Sequence, residues 1–420
     1  MKLALVLTAA VAVATTTLVA APVGATPQPA AEVAPRALVS KSFTVFGKFT
    51  SRKIVDYGNA NGIGNLTITQ GVLDDGAGSK IGTLTTVIRV VAPSTKKDAE
   101  LRDTQSEIKL KDGQIFAQAV NEDPKAGPPK SLHIMSVTGG TGAYASARGT
   151  LIIYPMGSKY RMAYDIFVEK NLKSESFSFD TIVEAGATGE GPQGIGDVAL
   201  MNATGGDDSY ILIATSAGTA GKTVIDAVDM QLFTPDGTLF ARAIARSKSG
   251  TATTTTFAVL GGTGSYSGYR GELKLSPNGK SVTVKLAAPG GKSKRLAWFE
   301  DAGKASADVA ITGGTFVGAE GYMYKTAKVN KKKDRIGQYF ASLITYDEIN
   351  GVVPVVGMIE QEFSTSTVIV TGITLGTGSD GAPVARPVVG GTGDAGGAAG
   401  QATSVQESSG VWRKAARFWR

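Results

Sequence analysis

The sequence predicts an all-β protein built as three tandem eight-stranded antiparallel β-barrels. Three observations carry this expectation. The stretch "VTGGTGAYASARGTL" from Val137 recurs as "VLGGTGSYSGYRGEL" from Val259 and, more worn, as "VVGGTGDAGGAAGQA" from Val388. The spacing is regular, with 122 residues from Gly139 to Gly261 and 129 from Gly261 to Gly390, which is the size of a domain. The chain between the landmarks is rich in Val, Ile and Thr, with Gly and Pro at the joints and no sustained helical period.

The elements of each unit follow in order. Opening strands are read in "KSFTVFGKF" from Lys41, "KSESFSFDTIV" from Lys173 and "KSKRLAWFED" from Lys292. In the first unit further strands are expected near 63–70, 80–91, 102–110, 115–121, 131–137, 146–155 and 160–169, after an opening strand near 42–50. An Asp-Gly turn leads into "DGQIFAQAV" from Asp112 and "DGTLFARAI" from Asp236, and the third unit has only "STVIVTGI" from Ser366 in that place. Gly139 to Gly142 reads as a hairpin turn, because glycine tolerates positive φ. "KYRMAYDIFV", "KSVTVKLAA" and "VWRKAARFWR" close the three units, giving barrels over residues 39–171, 172–291 and 292–420. Eight antiparallel strands of this length can close into a barrel and remove their edges. A β-sandwich satisfies the same alternation.

Composition narrows the function. Lys2, an apolar run and Val23-Gly24-Ala25 read as a signal peptide over residues 1–25, followed by a disordered leader over 26–38. The expected destination is extracellular, the cell wall or apoplast in a plant host. No other apolar run is long enough for a membrane-spanning helix. The absence of cysteine excludes disulfides and thiolate chemistry, and a single histidine, His133, excludes a multi-histidine zinc site. A Ser-His-Asp triad has only His133 to draw on, with no motif around it. Net charge is +7, concentrated in "KTAKVNKKKDR" and "VWRKAARFWR", read as a solvated loop and a closing strand, so no nucleic-acid partner is expected. "GGTG" lacks the Lys-Ser/Thr ending of a phosphate-binding loop.

After the glycine turn, Arg148, Thr150, Ile152 and Tyr154 fall on one strand face and Ala147, Gly149, Leu151 and Ile153 on the other. An arginine there can offer a fixed cation at a barrel mouth. The same spacing fits a strand with one wet face.

The repeated stretch, Val-x-Gly-Gly-Thr-Gly followed by Ala-Arg-Gly or Tyr-Arg-Gly, resembles the signature of dirigent proteins and the allied allene oxide cyclase-like barrels. "GIGNLTITQGVLDDGAGSKIGTLTTVIRVV" from Gly62 resembles the same family's second strand, Asp-Asp segment and third strand. The likeness covers the first unit nearly throughout, the second well and the third mainly by its glycines. It implies a barrel lumen holding a small hydrophobic molecule of the phenolic or oxylipin class, with no cofactor. The implied activity is stereoselective coupling beside a separate oxidase, or cyclisation or elimination. It also implies trimers of barrels, which three linked copies would supply as an intrachain pseudo-trimer.

Carried over by residue, the motif arginine is Arg148 and Arg270, with Ala399 in the third copy. The acidic segment is Asp74-Asp75 and Asp207-Asp208, and the first-strand acid is Asp180. The second barrel keeps all three features, so Asp180 is expected as general acid/base and Arg270 as holder of developing negative charge, with Asp207 and Asp208 beside them. Arg148, Asp74, Asp75 and Tyr154 are the expected ligand-binding set of the first barrel. As turn residues, the paired aspartates also have a purely structural explanation. The competing class is a non-catalytic extracellular structural protein, with lumens plugged by side chains; the ligand-binding class requires an open lumen.

Overall fold

A computed structural model describes residues 38–419 except 60–61, 126–128, 130, 188–194, 221–222, 249–252, 291, 302, 330, 376–382 and 409. The expected signal peptide and nearly all of the leader lie outside the described residues. The first sheet runs β1 (Leu38–Val55), β2 (Leu66–Asp74), β3 (Lys80–Pro93), β4 (Ala99–Leu110), β5 (Gly113–Pro124), β6 (His133–Gly140), β7 (Arg148–Met156) and β8 (Lys159–Glu169), closed by β1 against β8. Every strand expected in this unit is present. β1 is long because its first half pairs with β8 and its second half with β2.

The second sheet holds β9 (Lys173–Ser178), β10 (Thr181–Ala187), β11 (Val198–Gly205), β12 (Asp208–Ala220), β13 (Thr223–Thr234), β14 (Gly237–Lys248), β15 (Thr255–Gly264), β16 (Arg270–Leu275) and β17 (Ser281–Ala287). Here the crossing first strand is interrupted: β9 pairs with β17 and β10 with β11. The Phe179 N–H donates to Lys280 O at 2.8 Å and the Asp180 N–H to Thr204 O at 3.0 Å, so the interruption is bonded on both sides. The third sheet holds β18 (Lys294–Asp301), β19 (Lys304–Ile311), β20 (Gly314–Tyr324), β21 (Arg335–Tyr346), β22 (Pro354–Phe363), β23 (Ser366–Leu375), β24 (Val384–Gly393), β25 (Ala399–Ser408) and β26 (Val411–Trp419). It closes through β18, which pairs with both β26 and β20. The barrel architecture read from the sequence is therefore present three times, and the sandwich is set aside.

The expected glycine turn is corrected in one respect. Gly139 and Gly140 lie in β6, and the turn itself is the 3-10 segment Gly142–Tyr144. The paired glycines serve close approach. A Cβ on Gly139 would stand 2.5 Å from Leu260 Cδ2, one on Gly261 2.8 Å from Pro387 Cβ, and one on Gly390 2.2 Å from Ser136 Oγ. Each barrel's motif thus docks on the next barrel, first to second, second to third, third to first. The same circular order recurs in polar contacts. Gly142 N–H donates to Glu272 Oε2 of the second barrel at 3.1 Å, and Gly264 N–H to Gln401 Oε1 of the third at 2.8 Å. Gly391 N–H completes the ring on Ser136 Oγ of the first at 2.8 Å.

One apolar cluster fills the junction with residues of all three barrels, among them Leu66, Ile68, Ile211, Ile213, Phe240 and Ile369. Strands facing it are buried on both sides, like strands of a covered sheet. The chain is an intrachain pseudo-trimer. Gly261→Val is expected to destabilise it by about 1–3 kcal/mol through overpacking, read as a lower denaturation midpoint. The backbone at Gly261 is outside the left-handed region, so the penalty is one of contact.

Candidate functional site

The structure scatters the eight site residues expected from the sequence, and none lines any of the three cavities described below. Asp180 is exposed at the β9–β10 break, near the β11–β12 hairpin that carries Asp207 and Asp208. Burial, then Asp207 and Asp236, raise the Asp208 carboxyl. Arg270 is at the far end of the barrel: it pairs with Ala287, whereas Asp180 sits beside Lys280, seven residues away along β17 or about 23 Å. Arg270 is buried at the junction rather than at a barrel mouth, where it donates to Thr138 O, to Val389 O at 2.5 Å and to Ala398 O at 2.8 Å. Burial, then the nearby Arg148, pulls it down to about 9. Arg148 is buried against Gly397 of the third barrel, and burial lowers it as well.

Asp74 and Asp75 are turn residues. Asp74 accepts from Gly76 N–H at 2.9 Å and meets Lys159 Nζ at 3.2 Å; Asp75 accepts from Ala77 at 2.9 Å and Ser79 at 3.0 Å. The Ser79 contact holds Asp75 below its ordinary value. Tyr154 stacks under Arg161, with 4.0 Å from guanidinium carbon to ring centre, while its neighbours Ile153 and Pro155 turn into the lumen.

The developed site is the lumen of the first barrel. Strand alternation places Ile108 and Val137 in the packed part of the lumen, and Arg102, Thr104 and His133 toward its open part. There the barrel encloses a cavity of about 210 Å³. Its apolar wall includes Phe49, Leu84, Ile88, Met135, Ile153 and Met162. At its polar end, His133 Nε2 lies 2.9 Å from Asp123 Oδ1, both residues buried. Arg102 donates to Glu100 Oε1 and to Pro124 O, each at 2.7 Å, and stands 3.9 Å from Asp123 Oδ2. Tyr160 is raised by burial and by Asp123. Thr69 and Thr104 also belong to this wall, and their hydroxyls are buried with no hydrogen-bond partner among the described residues.

If Asp123 is ionised it accepts from His133 Nε2–H, which leaves Nδ1 as the basic nitrogen of the neutral ring. The pair can therefore take a proton from, or return one to, a molecule held against the apolar wall. Sequence reasoning passed over His133 for want of a motif. The alternation His133-Met135-Val137 into a packed strand end was the available signal. A smaller cavity of about 80 Å³ lies at the junction, lined by Asp103, Asp229, Arg242 and Tyr346, and a larger one of about 880 Å³ opens at the second barrel.

No protein family and no curated protein sequence matches the chain. Solved structures with a similar barrel include pyocyanin demethylase, at 22% identity over 30% of this chain and 100% of that one, with a TM-score of 0.25. A nonspecific heme-binding cyclase of neoabyssomicin biosynthesis matches at 19% identity over 33% of this chain and 66% of that one, TM-score 0.26. The Diels Alderase AbmU from Streptomyces koyangensis matches at 20% identity over 32% and 64%, TM-score 0.26. Each likeness spans about a third of the chain.

Proposed function

We propose that the chain is a small-molecule barrel protein whose working site is the lumen of the first barrel. A compact, largely apolar molecule is held there, and His133 moves a proton at its polar end. The observation that carries this reading is the buried His133–Asp123 pair at the end of an apolar cavity. Arg102, fixed by Glu100, positions Asp123, and Asp123 orients the imidazole. The reaction class that suits one buried acid/base pair is an isomerisation, cyclisation or elimination. The dirigent-like glycine motif favours phenolic or oxylipin molecules, with an external oxidase where radical coupling is the outcome, and the N-terminal apolar run favours export.

The structural alternative is favoured for the third barrel alone. Its interior is filled by Trp298, which packs edge-on to Phe363 at 5.7 Å and donates to Glu300 at 2.9 Å, with Lys414 completing the pair.

The test is a thermal-shift titration of the whole chain with phenolic monomers and polyunsaturated oxylipins. A ligand at a hundred times its dissociation constant adds about 2.7 kcal/mol to the barrel it occupies. Thr104→Trp fills the cavity and is expected to abolish the shift. His133→Gln is expected to keep binding while lowering turnover about 100-fold. A shift that survives Thr104→Trp places binding outside this lumen and overturns the reading.

A further inference from the structure

The second barrel opens on a cavity of about 880 Å³, walled on its lumen side by Met201, Leu212, Val228, Phe257 and Leu275. Tracing the ladders of the first two barrels strand by strand gives matching positions. Arg102 stands eight residues before the hairpin pair Leu110↔Gly113, and Asp226 eight before Thr234↔Gly237. Arg52 stands three residues inside the pair Val55↔Leu66, and Glu184 three inside Ala187↔Val198. The neighbouring register agrees: Val90↔Arg102 matches Ser216↔Asp226, and a bulge follows in both β3 and β12. Both arginines on the wall of the first cavity are therefore carboxylates on the wall of the second. His133 and Asp123 become Thr255 and Ser247 by the same correspondence.

We infer that the second barrel carries a separate site for a hydrophobic amine, with the ammonium group held by Asp226 and Glu184 and the apolar body against the lumen wall. Neither carboxylate has an ion pair or hydrogen bond among the described residues. Three cations also line this cavity. Arg246 is clamped by Glu107 at 2.8 and 3.0 Å, and Lys109 and Lys111 are exposed residues of the first barrel's β4–β5 hairpin. Asp226 is half-buried and raised to about 6 by burial, a cost that a bound cation would offset. Glu184 is exposed at the mouth, where it meets an arriving ligand first. The two lumens thus share a strand register but carry opposite charge at these two positions, and the second is the larger.

The test is isothermal titration of the full chain with tryptamine, its uncharged analogue tryptophol, and indoleacetate. Tryptamine is expected to bind at least tenfold more tightly than tryptophol, and Asp226→Asn to remove about tenfold of its affinity. Glu184→Gln, at an exposed position that does not threaten folding, is expected to remove about threefold. Tryptamine binding is expected to persist in Thr104→Trp, which closes the first barrel, so the two sites stand or fall separately. Arginine at both positions, Asp226→Arg with Glu184→Arg, is expected to reverse the order in favour of indoleacetate. Equal affinities for tryptamine and tryptophol, or a preference that survives both single substitutions, overturns the inference.

Discussion

Replacing Arg270 by alanine is expected to destabilise the chain by about 4 kcal/mol, read from urea denaturation at constant slope. Its guanidinium donates to backbone carbonyls of the first and third barrels from a strand of the second. Hydrogen bonds to a charged group contribute about 1.5–3 kcal/mol each, and three carbonyls would be left in a dry junction. The opposing term is the desolvation of the cation, visible as the depression of Arg270 to about 9. Relief of that cost takes back part of the loss. Arg270→Met keeps most of the volume without the donors and is expected to cost about half as much. A loss below about 1 kcal/mol in the alanine variant would show that apolar packing alone holds the junction.

The junction also explains why the third copy of the motif has lost its arginine. Arg148, Arg270 and Ala399 are the first residues of equivalent strands, β7, β16 and β25. Three guanidiniums converging on one axis would repel in a low-dielectric space. Arg270 donates across to the third barrel, and two of its acceptors, Val389 and Ala398, flank the position where a third arginine would stand. Arg148 packs against Gly397 of the third barrel. The loss of arginine at Ala399 is thus a packing solution.

Much of the fold was legible. The β-branched runs and joint glycines located all eight strands of the first barrel, and even the faint "STVIVTGI" marks β23, the counterpart of β5. Strand ends were less legible, because β1 extends to pair with two neighbours in turn and its charged residues interrupt the apolar pattern. The repeated residues lie away from the cavities for a physical reason. Residues repeated between copies, such as Gly139 and Gly261 or Arg148 and Arg270, record what the barrels share, which is their packing on one another. The two cavities are lined where the copies differ, as at His133 against Thr255 and Arg102 against Asp226. In β2, moreover, the apolar alternates Leu66 and Ile68 face the junction while Thr67 and Thr69 face the lumen, so amphipathicity points the wrong way for a reader expecting an apolar interior.

Stability is expected to fall as pH rises from about 5 to about 9, and Glu360→Gln to remove much of that fall. Glu107, Gln231 and Glu360 share one register position, paired with Phe116, Phe240 and Ile369 of the junction cluster. Gln231 Oε1 accepts from Ile373 N–H at 3.0 Å, and Glu360 Oε2 accepts from Val120 N–H at 2.7 Å, each reaching the next barrel. Glu107 instead binds Arg246, which neutralises it. Glu360 has no such cation among the described residues; burial, with Glu362 and Asp103 adding to it, pushes its carboxyl up to about 8 from an ordinary 4.5. The protonated form is therefore the one the fold prefers. Its contribution is fully present below about 4.5 and is lost as pH rises through about 8. Glutamine has the neutral shape at every pH, and Gln231 shows that the junction accepts it. The variant is expected to match the wild type near pH 4.5 and to exceed it by on the order of 3 kcal/mol near pH 9. Asp226 is raised as well and tilts both profiles alike, whereas Asp103 is coupled to Glu360, so the difference between the two profiles reports Glu360 together with that coupling. Parallel profiles would mean that Glu360 stays ionised in the folded chain, held by the Val120 N–H alone.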